Sequence, residues 1–167
     1  MKTEVNSPSP ATSIQIRRLL VPVDFSDCSL KALDYATAFA RQSGASITLL
    51  YVVQVYYAGG EFASIDMESV QSSLREVAVR ELAKITSSPA FTGLTLQTLI
   101  RTGPAASEIV TTAREQNTDL IIISTHGHSG LKHILLGSVA ENVVRHAPCP
   151  VLTVREREHD FVSPSTR

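Results

Sequence analysis

Five short apolar runs recur along the 167-residue chain, and longer segments with apolar residues at helical spacing separate them. The runs occupy residues 17–23, 47–53, 94–100, 120–123 and 151–154. The run at 47–53 is nearly continuous, which is typical of a strand that helices cover on both faces of a parallel sheet. Strands that alternate with helices throughout the chain predict a doubly wound α/β domain with a five-stranded parallel sheet and helices on both faces.

Capping residues predict where two of the helices begin and end. The side chain of Ser26 or Asp27 can accept hydrogen bonds from the first backbone N–H groups of a helix. Gly44 can end that helix, because glycine adopts the left-handed backbone conformation without steric cost. A glycine followed by a serine, Gly137 and Ser138, predicts the start of the last helix.

The length of the chain fits one domain with a core of its own. We expect this domain over residues 14–156, between flexible polar tails at 1–13 and 157–167. The first tail lacks the charged start and the apolar run of a signal peptide. Cys28 and Cys149 are too few for a disulfide framework, which suits a reducing compartment. We therefore expect a cytoplasmic protein.

The net charge of the chain limits the classes of partner that it would attract. Lysine and arginine together number 15, and aspartate and glutamate together number 16. A balance of this kind gives no overall field that would draw the protein to nucleic acid or to an anionic membrane. No apolar run approaches the roughly 18 residues that a membrane span needs. We expect neither nucleic-acid nor membrane binding, and any polyanion must be held locally.

Two segments compete for the place where a ligand would bind. In open parallel sheets the ligand crevice lies beyond the carboxyl ends of the strands, where the strand order reverses. With the order 3-2-1-4-5, the first and fourth strands are neighbours at that point. Residues 22–26, after the first strand, and residues 124–138, after the fourth, then face one crevice. The sequence predicts a two-sided site.

The second of these segments suits an anion. Gly127 and Gly137 allow close approach of the backbone, and a helix that starts at Ser138 presents N–H groups and a dipole that favour negative charge. Phosphate is the ligand that this pattern indicates. On the other side, the Asp24 carboxylate can accept from sugar hydroxyls or from an adenine amino group.

Simpler interpretations of the same residues remain open. Asp24 can serve the helix that follows it as part of a cap, and the two glycines can supply turn conformations alone. Neither a Walker loop nor a GxGxxG fingerprint occurs after the first strand. We predict no metal-ligating residues, because loop and surface placement explains the histidines more simply, and we predict no catalytic residues.

Six stretches of the sequence resemble the universal stress protein family, and the resemblance covers nearly all of residues 16–155. They are residues 20–26, 49–53, 103–104, 124–127, 137–141 and 145–152. The ATP-binding branch of that family has a glycine, two residues, a second glycine, nine residues, then glycine and serine or threonine. Gly127, Gly137 and Ser138 fit this pattern. Ser124 stands where the first glycine is expected, and serine would carry a strain of about 1 kcal/mol if that backbone needs a positive φ.

The resemblance implies a set of nucleotide-binding residues. They are Pro22, Val23, Asp24 and Val52 around the adenosine, and Ile123, Ser124, His126, Gly127, Gly137, Ser138, Val139 and Ala140 around the ribose and phosphates or beside them. It implies ATP, or AMP or ADP, as the ligand, with Mg or Mn as the metal that would accompany a triphosphate. It also implies a homodimer through the last strand, at 151–154.

Three functional hypotheses follow from these observations. In the first, an adenine nucleotide regulates a stress-response module whose protein partner is unknown, with little or slow hydrolysis. The second is an enzyme, a slow ATPase or a nucleotidyl-transfer enzyme on a related α/β scaffold, since fold alone never fixes function. In the third, Ser124 closes the site and the chain is a nucleotide-free, dimeric interaction protein.

Overall fold

The computed structural model describes residues 14–54, 67–125, 136–156 and 160–162. The elements in these ranges are β1 (Arg18–Pro22), α1 (Asp27–Ser43), β2 (Ser46–Val53), α2 (Met67–Thr86), β3 (Leu96–Thr102), α3 (Ala105–Glu115), β4 (Leu120–Ser124), α4 (Ser138–His146) and β5 (Val151–Val154). A 3₁₀ turn, Pro89–Phe91, lies between α2 and β3.

The five strands form one parallel sheet in the order β3-β2-β1-β4-β5. This confirms the predicted doubly wound fold. β1 and β4 are neighbours at the centre, where Leu19 is opposite Leu120 and Leu20 is opposite Ile121. From β1 the chain continues outward to β2 and β3 on one side, and from β4 it continues outward to β5 on the other. The carboxyl ends of β1 and β4 therefore flank the point where the strand order reverses.

Two apolar cores lie on opposite faces of the sheet. Side chains alternate along β1, so that Leu19 faces the layer with α1 and α2, and Leu20 faces the layer with α3 and α4. Both leucines are fully buried. Removing a leucine side chain from water stabilises the fold by about 1.5–3 kcal/mol, and β1, buried from Leu19 onward, is therefore a rigid support for the residues that follow it.

The caps of α1 agree with the prediction from the sequence. Ser26 is the N-cap, and its Oγ accepts a hydrogen bond from the N–H of Ser29 at 3.3 Å. At the other end Gly44 has a φ of 72°, and its N–H donates to the carbonyl of Ala40 at 2.8 Å. The first turn of α1 is thereby fixed directly after β1.

The third strand begins and ends two residues later than the predicted run of 94–100. Leu94 belongs to the preceding turn, because its N–H donates to the carbonyl of Phe91 at 3.1 Å. At the other end, Thr102 still pairs with Val53 of β2. The predicted boundary was wrong because Leu94 continues the apolar run while its backbone closes a turn.

A short segment beyond β5 contacts α1. Oδ1 of Asp160 lies 2.7 Å from Nζ of Lys31 and accepts a hydrogen bond from the hydroxyl of Tyr35 at 3.0 Å. The ring of Phe161 packs edge-on against Tyr35, with ring centroids 4.9 Å apart. The predicted domain limits and flexible tails stay a prediction.

None of the helices in the described ranges combines the length and the apolar character that crossing a bilayer requires.

Candidate functional site

A cavity of about 430 Å³ opens at the carboxyl edge of the sheet. Residues at the ends of β1, β2 and β4 form its floor, and the first residues of α3 and α4 form part of its walls. This volume lies in the range of small-molecule pockets, about 300–1,000 Å³. The cavity also occupies the position that open α/β sheets use for ligands.

All of the predicted site residues in the described ranges line this cavity. They are Pro22, Val23, Asp24, Val52, Ile123, Ser124, Gly137, Ser138, Val139 and Ala140. His126 and Gly127 lie outside the described residues. The described parts of the two segments that were expected to face one crevice, after β1 and after β4, therefore line the same cavity.

The Asp24 carboxylate is held by the start of α1. Its Oδ1 accepts from the backbone N–H of Ser26 at 3.1 Å and from the Ser26 hydroxyl at 2.5 Å. The N–H of Asp24 donates to Oγ of Ser29 at 3.4 Å. Because Ser26 is also the N-cap, Asp24 supports the cap and lines the cavity at once. The capping interpretation and the binding interpretation of this residue are compatible.

Phe25, between Asp24 and Ser26, has a left-handed backbone with a φ of 66°. This conformation costs an L-residue about 1–2 kcal/mol. Its ring stacks on that of Tyr51 from β2, with centroids 4.8 Å apart and an interplanar angle of 15°. Burial raises the pKa of the Tyr51 phenol, and the negative charge of Asp24 raises that pKa further. Tyr51 itself lines the cavity.

The β4 side of the cavity is fixed by backbone hydrogen bonds. The N–H of Thr125 donates to the carbonyl of Val154 in β5 at 2.8 Å, and the carbonyl of Thr125 accepts from the N–H of Gly137 at 2.8 Å. A Cβ at position 137 would lie 2.9 Å from that carbonyl oxygen. The φ of Gly137 is −66°, which any residue can adopt. Glycine is therefore favoured here by the close approach of the backbone and not by a left-handed conformation.

Ser124 is the last residue of β4 and has a strand backbone. In the described part of the chain, Phe25 and Asn117 are the residues other than glycine that have a positive φ. The strain that was considered for serine at this position is therefore absent. Ser124 is half-buried, whereas its neighbour Ile123 is buried. Both residues line the cavity.

The first residues of α4 line the cavity. Its N-cap, Gly137, makes no side-chain capping hydrogen bond, and Ser138, Val139 and Ala140 follow as the first helical residues. The first N–H groups of a helix have no partner inside the helix, and the helix dipole adds positive potential there. This end of α4 can bind a negatively charged group.

Several cavity residues were not among the individual binding residues predicted from the sequence. They are Ser29, Leu50, Tyr51, Val53, Gln54, Leu74, Ala105, Ile109 and Thr125. Leu74 comes from α2 and Ala105 from the start of α3. The rule that ligands bind beyond the carboxyl ends of the strands, called here the strand-end rule, gives no signal for such helical residues. Tyr51 and Gln54 could have been found, because both lie near the carboxyl end of a strand that neighbours β1.

Comparisons with known proteins agree with this architecture. The model of the universal stress protein family matches residues 15–155. Universal stress protein MJ0531 of Methanocaldococcus jannaschii is 36% identical over 140 residues, which cover 84% of this chain and 82% of that protein.

Two solved structures give the same result. The structure of protein MJ0577 superposes with a TM-score of 0.72 at 30% identity, covering 87% of this chain and 100% of that chain. A universal stress protein in complex with cAMP superposes with a TM-score of 0.56 at 26% identity, covering 84% and 98%. The family match spans most of the chain, and the fold and the sequence motifs agree with it: this chain belongs to the universal stress protein family.

Proposed function

We propose that the cavity binds an adenine nucleotide and that its occupancy regulates a stress-response module. One observation carries the proposal: a carboxylate after β1 and the start of α4 after β4 line the same cavity. The first provides an acceptor for ribose hydroxyls or an adenine amino group, and the second provides donors for phosphate. A ligand with both kinds of group matches both walls.

The apolar part of the cavity suits a purine base. Val52, Ile123 and Val139 contribute apolar side chains to the lining, and pockets of this kind combine apolar walls with a few polar groups that fix orientation. The universal stress protein solved in complex with cAMP supports the adenine class, because this chain shares its fold at 26% identity.

Among the described residues of the cavity, the charge compensation for phosphates comes from the backbone dipoles at the start of α4. Neither lysine nor arginine is among the described residues that line the cavity. Divalent metals such as Mg or Mn neutralise the charge of a triphosphate, whereas a monophosphate carries less charge and needs less compensation. We propose ATP, ADP or AMP as the ligand class, with the divalent metal required for ATP.

A charge placed at the start of α4 tests this proposal. Ser138→Glu adds a carboxylate where phosphate would bind, and Asn142→Glu adds the same charge four residues later on the same helix. Isothermal titration of nucleotide-stripped protein with Mg-ATP and with AMP would show saturable binding, about tenfold weaker or more for Ser138→Glu and nearly unchanged for Asn142→Glu. Wild-type protein that takes up neither nucleotide would refute the proposal.

We also propose that the protein forms a cytoplasmic homodimer through β5. In the described part of a single chain, β5 pairs with β4 along one side only. The carbonyl of Pro150 accepts from Ile121 of β4 and that of Val154 from Thr125, directly after β4. Backbone groups alternate in direction along a strand, so those of Thr153, one residue before Val154, point to the open side. Edge strands of this kind pair readily with another chain.

A proline at position 153 tests the dimer without disturbing the fold of the single chain. Thr153→Pro removes an outward N–H and leaves the pairing with β4 intact. Sedimentation analysis would show a dimer for wild-type protein and a monomer for Thr153→Pro, with unchanged circular dichroism. A monomeric wild-type protein would exclude this assembly.

A further inference from the structure

The backbone of Phe25 is exceptional in the described part of the chain. The other residue with a positive φ, apart from glycine, is Asn117, which follows the end of α3. Asparagine enters the left-handed region readily, whereas a bulky aromatic residue there is an outlier. Such outliers persist only where the surrounding structure holds them, and they concentrate at functional sites.

The position of Phe25 explains why its φ matters for Asp24. Oδ1 of Asp24 accepts the N–H of Ser26, two residues later, at 3.1 Å. An aspartate that bonds in this way imitates a backbone turn, and the residue between then occupies the turn position where a positive φ is usually supplied by Gly or Asn. The turn that holds the Asp24 carboxylate therefore depends on the left-handed Phe25.

The contact that compensates for this conformation is the ring of Tyr51. The two rings are nearly parallel, at 15°, with centroids 4.8 Å apart, and both side chains pack against the core cluster on the α1 and α2 side of the sheet. Tyr51 lies in β2, which pairs with β3 from Ile47 to Val53 and with β1 on its other side. The stack joins the turn after β1 to a fixed strand.

We propose that the Phe25–Tyr51 stack is a positioning device, which holds the turn after β1 closed and so aims the Asp24 carboxylate at the bound ligand. Tyr51 acts through Asp24, and the ligand part of the inference rests on the proposed nucleotide function. The stack is also close enough to Asp24 for the negative charge of this carboxylate to raise the pKa of the Tyr51 phenol. A plain core contact would stabilise the domain without acting on this carboxylate.

The first test needs no ligand. Amide hydrogen exchange of Ser26 reports its hydrogen bond to Asp24, and the amide of Ala36, buried in the middle of α1, reports the helix as a whole. Tyr51→Leu removes the stack, whereas Tyr51→Phe keeps it. We expect Tyr51→Leu to lower the protection of Ser26 by about fivefold relative to Ala36, and Tyr51→Phe to preserve it. Unchanged protection of Ser26 in Tyr51→Leu would overturn the proposal.

The second test uses AMP and asks whether Tyr51 acts through Asp24. Tyr51→Leu should weaken AMP binding by about fivefold in the wild-type background and by less than about twofold in an Asp24→Asn background, because coupled residues are not additive. An equal loss in both backgrounds would overturn the proposal. If wild-type protein binds no nucleotide while Ser26 loses protection as expected, the nucleotide function fails and the positioning role of the stack stands.

Discussion

The backbone N–H of Gly137 donates to the carbonyl oxygen of Thr125 at 2.8 Å, and this hydrogen bond joins the start of α4 to the end of β4. A Cβ on Gly137 would lie 2.9 Å from the same oxygen. Real side chains do not approach a backbone oxygen so closely, so the two segments must separate if any other residue replaces this glycine.

Gly137→Ala should therefore destabilise the domain by about 1–3 kcal/mol, the usual cost of overpacking a site that cannot expand. Ser138→Ala, one residue later and exposed, is the matched control and should change stability by less than about 0.5 kcal/mol. Urea denaturation of both variants measures the difference. Equal midpoints for Gly137→Ala and wild-type protein would contradict the close approach.

Asp24→Asn tests the charge of the carboxylate apart from its geometry. The amide oxygen of asparagine can still accept the N–H of Ser26, so we expect little loss of thermal stability. Nucleotide affinity should fall by about tenfold, because hydrogen bonds to a charged group are worth about 1.5–3 kcal/mol. Asp27→Asn, in the first turn of α1, is the control. Equal affinities of Asp24→Asn and wild-type protein would remove Asp24 from the site.

Ser124→Gly restores the glycine of the family pattern and tests whether the serine impairs binding. Because Ser124 has a strand backbone and no positive φ, glycine gains nothing there and should cost about 0.5–1 kcal/mol of stability. The affinity for Mg-ATP should change by less than about threefold, or about 0.7 kcal/mol. A tenfold gain in affinity would show that the serine side chain blocks the ligand.

Asp119 gives a prediction about pH. Its Oδ2 accepts the backbone N–H groups of Arg17 and Arg18, both at 2.8 Å, and the first of these bonds is the largest cause of a lowered pKa. A carboxyl whose pKa is lowered on folding adds stability above its unfolded pKa, about 3.9. That stability is lost as the pH falls through the folded value.

Asp119→Asn should consequently be less stable than wild-type protein at pH 7, by about 1 kcal/mol, because solvent screens the charge of this partly exposed group. The two proteins should converge as the pH falls below about 3.9. Urea denaturation at pH 7, 5 and 3.5 would follow this difference. A difference that stays constant from pH 7 to 3.5 would mean that the charge of Asp119 is not the cause.

The fold could be predicted from the sequence because local and global signals agree. Apolar runs such as 47–53 give the strands, and residues such as Ser26 and Gly44 cap α1. The strand-end rule then brings Asp24 and Gly137 to one cavity. These inferences need only periodicity, capping chemistry and the topology of parallel sheets.

The remaining features depend on tertiary contacts that have no local signal. The positive φ of Phe25 is not expected from its residue type, and it is compensated by Tyr51, 26 positions later in the sequence. Leu94 continues an apolar run although its N–H closes a turn with Phe91. Leu74 reaches the cavity from α2. Each of these follows from packing between distant segments.

The most direct test of the central claim is a titration of ¹⁵N-labelled, nucleotide-stripped protein with Mg-ATP, followed by amide chemical shifts. The account predicts saturable shifts at both walls of the cavity, including Asp24 and Ser138, with one common dissociation constant. The chemical shifts of amides at the opposite edge of the sheet, where the strands begin, such as Ser46 and Leu96, should not change. Shifts confined to that opposite edge, or no saturable shifts at all, would contradict nucleotide binding in this cavity.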